Sequence, residues 1–328
     1  MTALLARLGV HRIPVPVPFP EAGGPANVYV IEERDGGVAL FDAGIGTAEG
    51  REALERGFER LQLSLGDIRR IFISHGHIDH YGYARAAQEA SGAPVFAHVR
   101  DHDKLTGRDR SRQRLELYEL YLQRLGAPIQ LLEHVKVHFH DTRRMARPLD
   151  QVEPLGDGER LQFQGFEAQV LHLPGHTPGL VCLWAEAAGV LFSDDHLLEH
   201  ISPNPLLDLE GHPEPQHKAL LEYIRSAGRV RALPAQLVAP GHSEPFAGHV
   251  GIIDRLLGFY RKRQDKLLAL VRGAPQTPAA LVPQIFPNVR EHHLSLTLSE
   301  VMGNLEVLEA EGRIARSEHE GKIRFEAV

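Results

Sequence analysis

The run Ser74-His75-Gly76-His77-Ile78-Asp79-His80 restricts this chain more than any other element, because it follows directly on the isoleucine-rich stretch 68–73. Three imidazoles and a carboxylate within six residues cannot all enter an apolar core, since burying an unpaired carboxylate costs too much. The spacing suits a loop that wraps cations. Alternate residues His75 and His77 can address one ion while Asp79 and His80 turn towards a neighbour. Neutral imidazole and carboxylate oxygen ligate zinc, and also iron or manganese. A solvated histidine-rich turn is the competing reading.

Two further strand-like runs end in a Pro-Gly-His turn, Leu173-Pro174-Gly175-His176 and Ala239-Pro240-Gly241-His242, and between them Leu191-Phe192-Ser193-Asp194-Asp195-His196 closes a third. Pro-Gly fixes the direction of the following histidine and lets the backbone come close to a site. A single Pro-Gly-His is usually a plain turn; four such strand ends in this order are a specific signal. The strands alternate with amphipathic segments. Residues 27–31 and 38–41 read as paired strands, 48–65 as a helix with Leu54, Phe58, Leu61 and Leu65 on one face, and 250–272 as a long helix. Residues 100–150 break the rhythm and read as a mostly helical, basic insertion carrying Arg108, Arg110, Arg112, Arg114, Arg143, Arg144 and Arg147.

With these motifs the chain resembles the metallo-β-lactamase superfamily over roughly residues 10–265, Asp42 matching its aspartate-containing first motif. The resemblance implies an α/β fold, an αββα sandwich with metals held by loops at one edge of the paired sheets. It implies His75, His77 and His176 on a first metal, Asp79, His80 and His242 on a second, and Asp195 bridging them. The position before the bridging aspartate is commonly glycine; here it is Asp194. Residues 1–270 form the catalytic domain in this reading. Residues 271–328, two helices followed by a hairpin around His319-Glu320-Gly321-Lys322, form a small winged-helix-like domain, which narrows the resemblance to the lactamase-beta-like group.

Two divalent cations, zinc first with iron or manganese as alternates, would hold a bridging hydroxide at neutral pH because coordination lowers the pKa of water towards about 7. Asp79 serves as ligand and proton acceptor, and His196 is the candidate donor to a leaving group, its alternative being a histidine packed behind or outside the site. Tyr81, Tyr83, Asn204 and Ser243 flank the motifs; for the tyrosines, packing beneath the metal loop is the competing reading. His98, His102, His134, His138, His140, His292 and His293 match no motif and are expected to be solvated. The lone Cys182 lies in an apolar run and reads as a buried, inert thiol, which removes a Cys-His nucleophile.

The expected reaction is hydrolysis of a small-molecule carboxylic ester, thioester or lactone. Metal-dependent cleavage of RNA is the alternative, with the basic insertion tracking phosphates. Against RNA stand 36 Lys plus Arg facing 43 Asp plus Glu, and a C-terminal segment whose second helix carries Glu300, Glu306 and Glu309. That segment is expected to pack on the catalytic domain or on a second copy of the chain, as a homodimer. A non-catalytic regulatory protein is a third reading, which the intact ligand set opposes. No run reaches the ~20 apolar residues of a membrane helix, no export signal opens the sequence, and a cytoplasmic protein is expected.

Overall fold

The computed structural model describes residues 2–19, 22–108, 112–142, 144–288 and 293–328. Arg110, Arg143, Arg290 and His292, and the side chains of His138 and His140, lie outside the described residues. Helix α1 (Thr2–Arg7) precedes strands β1 (Val10–Val15), β2 (Ala26–Glu32) and β3 (Val38–Phe41). Helix α2 (Ala48–Arg60) leads to β4 (Ile68–Phe72), the single turn α3 (Ile78–Tyr81), α4 (Ala84–Ser91) and β5 (Val95–Ala97). The insertion follows as α5 (His102–Leu105), α6 (Arg112–Arg124) and α7 (Ile129–Thr142), and β6 (Glu153–Pro154) completes a sheet ordered β1-β2-β3-β4-β5-β6. A second sheet is built from β7 (Arg160–Gln162), β8 (Glu167–His172), β9 (Val181–Ala185), β10 (Val190–Asp194) and, after α8 (Ala219–Arg231), β11 (Leu237–Pro240). Its order is β11-β10-β9-β8-β7.

Period-2 alternation explains why both sheets are covered on both faces. In β2 and β3, Val28, Val30, Val38 and Leu40 face α2 and α4, while Tyr29, Ile31, Ala39 and Phe41 face the second sheet. In β9 and β10, Val181, Leu183 and Phe192 join that shared core, and Cys182, Trp184 and Leu191 turn to α8 and to helix α9 (His249–Gly273). The layers are therefore helix, sheet, sheet, helix, as expected. Cys182 is fully buried, and burial pushes its thiol well above the usual range.

The C-terminal segment contains α10 (Pro278–Ile285), α11 (Leu294–Ala310) and a hairpin of β12 (Ile314–His319) and β13 (Lys322–Ala327). It shares one apolar core with the insertion and the second half of α9: Tyr121, Leu122 and Leu132 pack with Leu267, Met302, Leu305 and Phe325. Helices α6 and α7 of the insertion thus join the C-terminal helices, while Leu105 of α5 and Ala146 and Leu149 after α7 pack into the core beside the first sheet. Helix α11 is almost wholly buried; its Glu300 pairs with Arg263 of α9, and its Glu306 with Lys218 just before α8. No helix among the described residues is long and apolar enough to cross a membrane.

Candidate metal centre

Four strand ends meet at one edge of the sandwich. Strand β4 delivers His75 and His77, the turn α3 carries Asp79 and His80, and the loop after β8 carries His176. The adjacent parallel strands β10 and β11 deliver Asp195 and His242 side by side. The two sheets are tied here: Tyr29 Oη and Asn27 Nδ2 donate to the Pro240 carbonyl at 2.8 and 2.9 Å, and Val181 N donates to Ser74 O at 2.9 Å. Gly241 has to be glycine, because a Cβ there would lie 2.3 Å from Asp195 Oδ1.

The donor atoms converge in three overlapping groups: His75, His77 and His176; Asp79, His80 and His242; and His75, His80, Asp194 and Asp195. His77 Nδ1 lies 2.8 Å from His75 Nε2 and 2.9 Å from His176 Nε2. Asp195 stands between the first two groups. Its Oδ2 is 3.5 Å from both His176 Nε2 and His80 Nε2, and its Oδ1 is 3.6 Å from His242 Nε2. Asp79 Oδ2 is 3.5 Å from His242 Nε2 and 3.8 Å from His80 Nε2.

What lies behind the rings fixes their tautomers. His75 Nδ1 faces Asp194 Oδ1 at 3.1 Å, and His80 Nδ1 faces Asp42 Oδ2 at 2.9 Å. His176 Nδ1 faces the Asn204 carbonyl at 3.1 Å, and His242 Nδ1 faces those of Gly24 and Pro25 at 3.1 and 3.2 Å. Ionised carboxylates and carbonyls only accept, and Ser74 Oγ, 2.9 Å from His75 Nδ1, gives its own hydrogen to Asp42 Oδ2. A hydrogen on each of these four Nδ1 atoms therefore leaves Nε2 free to turn a lone pair to a cation at the centre. One hydrogen on His77 Nδ1 cannot serve two facing lone pairs. His80 Nε2 and Asp195 Oδ1 are buried without a hydrogen-bond partner. Shared cations would satisfy all of these atoms, and the outer partners are of the kind that orient metal-binding histidines. The donor set therefore fits a pair of divalent metals.

Burial, and then the charges of His75 and His176, hold His77 well below its usual range, as a neutral ligand must be. Burial likewise draws His176 down to about 4. Burial alone would raise Asp195, but His242 and His80 hold it well below the usual carboxylate range. Burial alone would lower those two rings, but Asp194 and Asp195 raise His80 well above its usual range, and Asp195 raises His242 to about 9. Without a cation both hold a second proton that a metal would displace. Asp42 and Asp194 adopt φ of +63° and +47°, and Ser243 one of +70°. Such strain in non-glycine residues clusters at functional sites. At the position where glycine is common, Asp194 meets the same backbone demand and adds an acceptor for His75.

One determinant was invisible in the sequence. Asp101, fully buried just before α5, accepts from Gly76 N and Thr177 Oγ1 at 2.8 Å each and from Gly179 N at 3.2 Å, with Lys104 Nζ 3.4 Å away. It clamps the loop of His75 and His77 to the loop of His176. Burial alone would raise its carboxyl, but Lys104 and the Thr177 hydroxyl bring it to about 2. Nothing near Asp101 in sequence announces a ligand loop; only the fold brings the partners together.

A cleft of about 680 Å³ opens onto this centre and is lined by His77, Asp79, His176, Asp195 and His242. His196 is not among its lining residues. It is fully buried against Tyr223, ring centroids 5.2 Å apart, and burial and the His176 charge bring it to about 3. The expected proton donor is thus turned into the core. Tyr81 and Tyr83 are buried beneath the metal loop, and of the flanking candidates Asn204 reaches the cleft while Ser243 does not line it. The histidines without a motif differ from the solvated expectation: His134 lines the cleft, His102 Nε2 lies 3.0 Å from Ala97 O, and His98 stacks on His172 at 3.7 Å.

The family profile of the metallo-beta-lactamase superfamily matches residues 22–242, so the chain belongs to that superfamily and is a hydrolytic metalloenzyme by class. The probable metallo-hydrolase YqjP of Bacillus subtilis (strain 168) is 28% identical over 92% of this chain and 93% of its own length. A solved metallo-beta-lactamase family protein of Thermus thermophilus superposes with a TM-score of 0.83 at 30% identity, covering 98% of this chain and 99% of that one. A beta-lactamase domain protein of Burkholderia ambifaria shares the fold at 24% identity and a TM-score of 0.83. These alignments run through the insertion and the C-terminal segment as well as the sandwich.

Proposed function

We propose that this chain is a dinuclear hydrolase of carboxylic esters, thioesters or lactones. His75, His77 and His176 hold one divalent ion, Asp79, His80 and His242 the other, and Asp195 lies between them. The observation that carries the reading is the set of Nε2 atoms turned inward by acceptors on the Nδ1 of His75, His80, His176 and His242, at the floor of an open cleft. Two zinc ions there, or iron or manganese, would supply an activated water and polarise a carbonyl. The residues do the rest. Asp42, Asp194 and Asn204 keep the rings aligned, so little reorganisation accompanies reaction, and Asp79 accepts the proton of the attacking water.

The same class of acyl chemistry is named for a curated relative, the hydroxyacylglutathione hydrolase GloC of Haemophilus influenzae, which is 27% identical over 53% of this chain. Two observations favour an acyl substrate over RNA. Arg108 and Arg114 pair with Asp103, Arg112 with Glu116 and Arg147 with Glu89, as solvated ion-paired faces do. The C-terminal unit, read as winged-helix-like, buries the helix that would face a nucleic acid.

The test is hydrolysis by metal-loaded protein of p-nitrophenyl esters, acyl thioesters and lactones, beside an end-labelled single-stranded RNA, with Asp79→Asn as the blank. Acyl hydrolysis lost in the variant supports the proposal. Cleavage of RNA alone, lost in the same variant, would replace it with a nuclease. Full acyl activity in Asp79→Asn would remove Asp79 as proton acceptor.

A further inference from the structure

The walls of the cleft give this acyl-hydrolase reading a substrate class, and the inference rests on that reading. Away from the metal end, the cleft is walled by three segments distant in sequence: Val135 of the insertion, Leu198, Ile201, Leu206 and Leu207 of the loop after β10, and Leu296 of α11. Among the described residues no Lys or Arg lines it. Away from the metal end, His134 is the sole base among the described lining residues, so a phosphate or free carboxylate there would meet no permanent countercharge.

Some of the polar atoms on these walls hold the walls together, while Asn204 Oδ1 is buried without a hydrogen-bond partner. Asn204 Nδ2 donates to Leu296 O at 3.1 Å, and Leu207 N donates to Ser299 Oγ at 3.2 Å. These two bonds fasten α11 to the loop after β10. Tyr118, at the far side, is kept neutral by burial, which pushes its hydroxyl up to about 12. What the walls still offer a ligand is mainly aliphatic contact in a volume of about 680 Å³. That falls within the range of about 300–1,000 Å³ typical of small-molecule sites.

We propose that the cleft is an acyl-chain pocket for an uncharged ester, thioester or lactone with a medium or long apolar acyl group. The scissile carbonyl sits at His77, Asp79 and Asp195, and the chain lies between Leu296 and Leu207. Helix α11 and the insertion set the chain length, so the C-terminal unit is a specificity element. Hydrolysis adds one water across the acyl bond: the acid takes the hydroxyl, and the leaving alcohol or thiol takes the proton passed through Asp79.

The experiment uses the full chain loaded with zinc and p-nitrophenyl esters from acetate to decanoate. The expected result is a rise in kcat/KM of up to about fourfold for each methylene buried, until the pocket is full. Leu296→Arg should lower the decanoate-to-acetate ratio at least tenfold. Val135→Arg, on a different wall, should do the same and covers the case in which the first variant fails to fold. Calorimetric binding of methyl ketones, from 2-pentanone to 2-undecanone, reads the pocket without turnover. Tighter binding of the longer ketone with no ester hydrolysis would overturn the acyl-hydrolase reading and leave the pocket standing. Hydrolysis without chain-length gain, equal binding of all ketones, or preference for an anionic over a neutral thioester of the same acyl group would overturn the pocket.

Discussion

Replacing Asp101 with alanine separates metal-site positioning from general stability. The carboxylate accepts from Gly76 N, Thr177 Oγ1 and Gly179 N, all buried with it, and its loss leaves three donors without an acceptor. An orphaned buried donor costs about 1–3 kcal/mol. Part of the cost is recovered by relaxation, so the three together should destabilise the metal-free protein by about 3–5 kcal/mol. Lys104 retains Asp208 at 2.6 Å and is not left uncompensated. The second consequence is specific to the site. Asp101 holds the loops of His75, His77 and His176 in register, so its removal should weaken metal binding about 10–100-fold.

Urea unfolding of metal-free protein reads the first effect, and competition with a chromophoric chelator reads the second. Asp101→Asn keeps one acceptor oxygen and should fall between wild type and alanine in both. An alanine variant that loses stability but binds metal as tightly as wild type would make Asp101 an ordinary core residue. Unchanged stability would refute the hydrogen-bond accounting itself.

Exhaustive chelation should lower Tm reversibly, with two equivalents of zinc per chain restoring it, because His80 Nε2 and Asp195 Oδ1 have no other partner; restoration by a single equivalent would contradict a paired site. His98, stacked on His172 and brought by burial to about 4, remains neutral in the folded chain while its unfolded counterpart protonates near 6.5. It therefore adds stability above pH 6.5 that is lost as pH falls from 6.5 towards 4, of the order of 1 kcal/mol after discount for its exposure; His98→Phe should flatten that window in urea titrations, and an unchanged slope would count against it. Arg263→Ala should destabilise by about 3 kcal/mol, since it strands the buried Glu300 carboxylate and empties the stack between Phe259 and Phe286; a loss below 1 kcal/mol by thermal unfolding would mean that this pair contributes little. His196→Phe should leave the basic limb of the pH–kcat profile in place, whereas disappearance of that limb would restore His196 as a proton donor.

The parts of the site legible in the sequence are those in which ligands are neighbours or follow a turn that aims them. His75, His77, Asp79 and His80 share six residues, and Pro-Gly precedes both His176 and His242. Chain adjacency does not report the direction of a side chain. His196 follows Asp195, yet the turn after β10 sends one side chain to the site and the next to Tyr223. The burial of Glu300 and Glu306 is not legible in the sequence, because their partners Arg263 and Lys218 lie 37 and 88 residues away. The sandwich was readable because strands buried on both faces appear as unbroken apolar runs. The union of the insertion with the C-terminal helices was not, since either amphipathic set could equally have covered a sheet.

The division of labour in the chain follows from where its parts come from. Every proposed metal ligand, together with Asp42, Asp101 and Asp194 behind them, lies within residues 22–242, the span matched by the superfamily profile. Leu296 and Ser299, which close the cleft, lie beyond it. The loop after β10 connects the two, because Asn204 accepts from His176 through its carbonyl and donates to Leu296 O through its side chain. A change in α11 is thereby transmitted to a ligand through one residue. Substitutions on that helix are expected to alter which acyl group is accepted before they alter the chemistry, and Asn204 is the position at which the two effects should become inseparable.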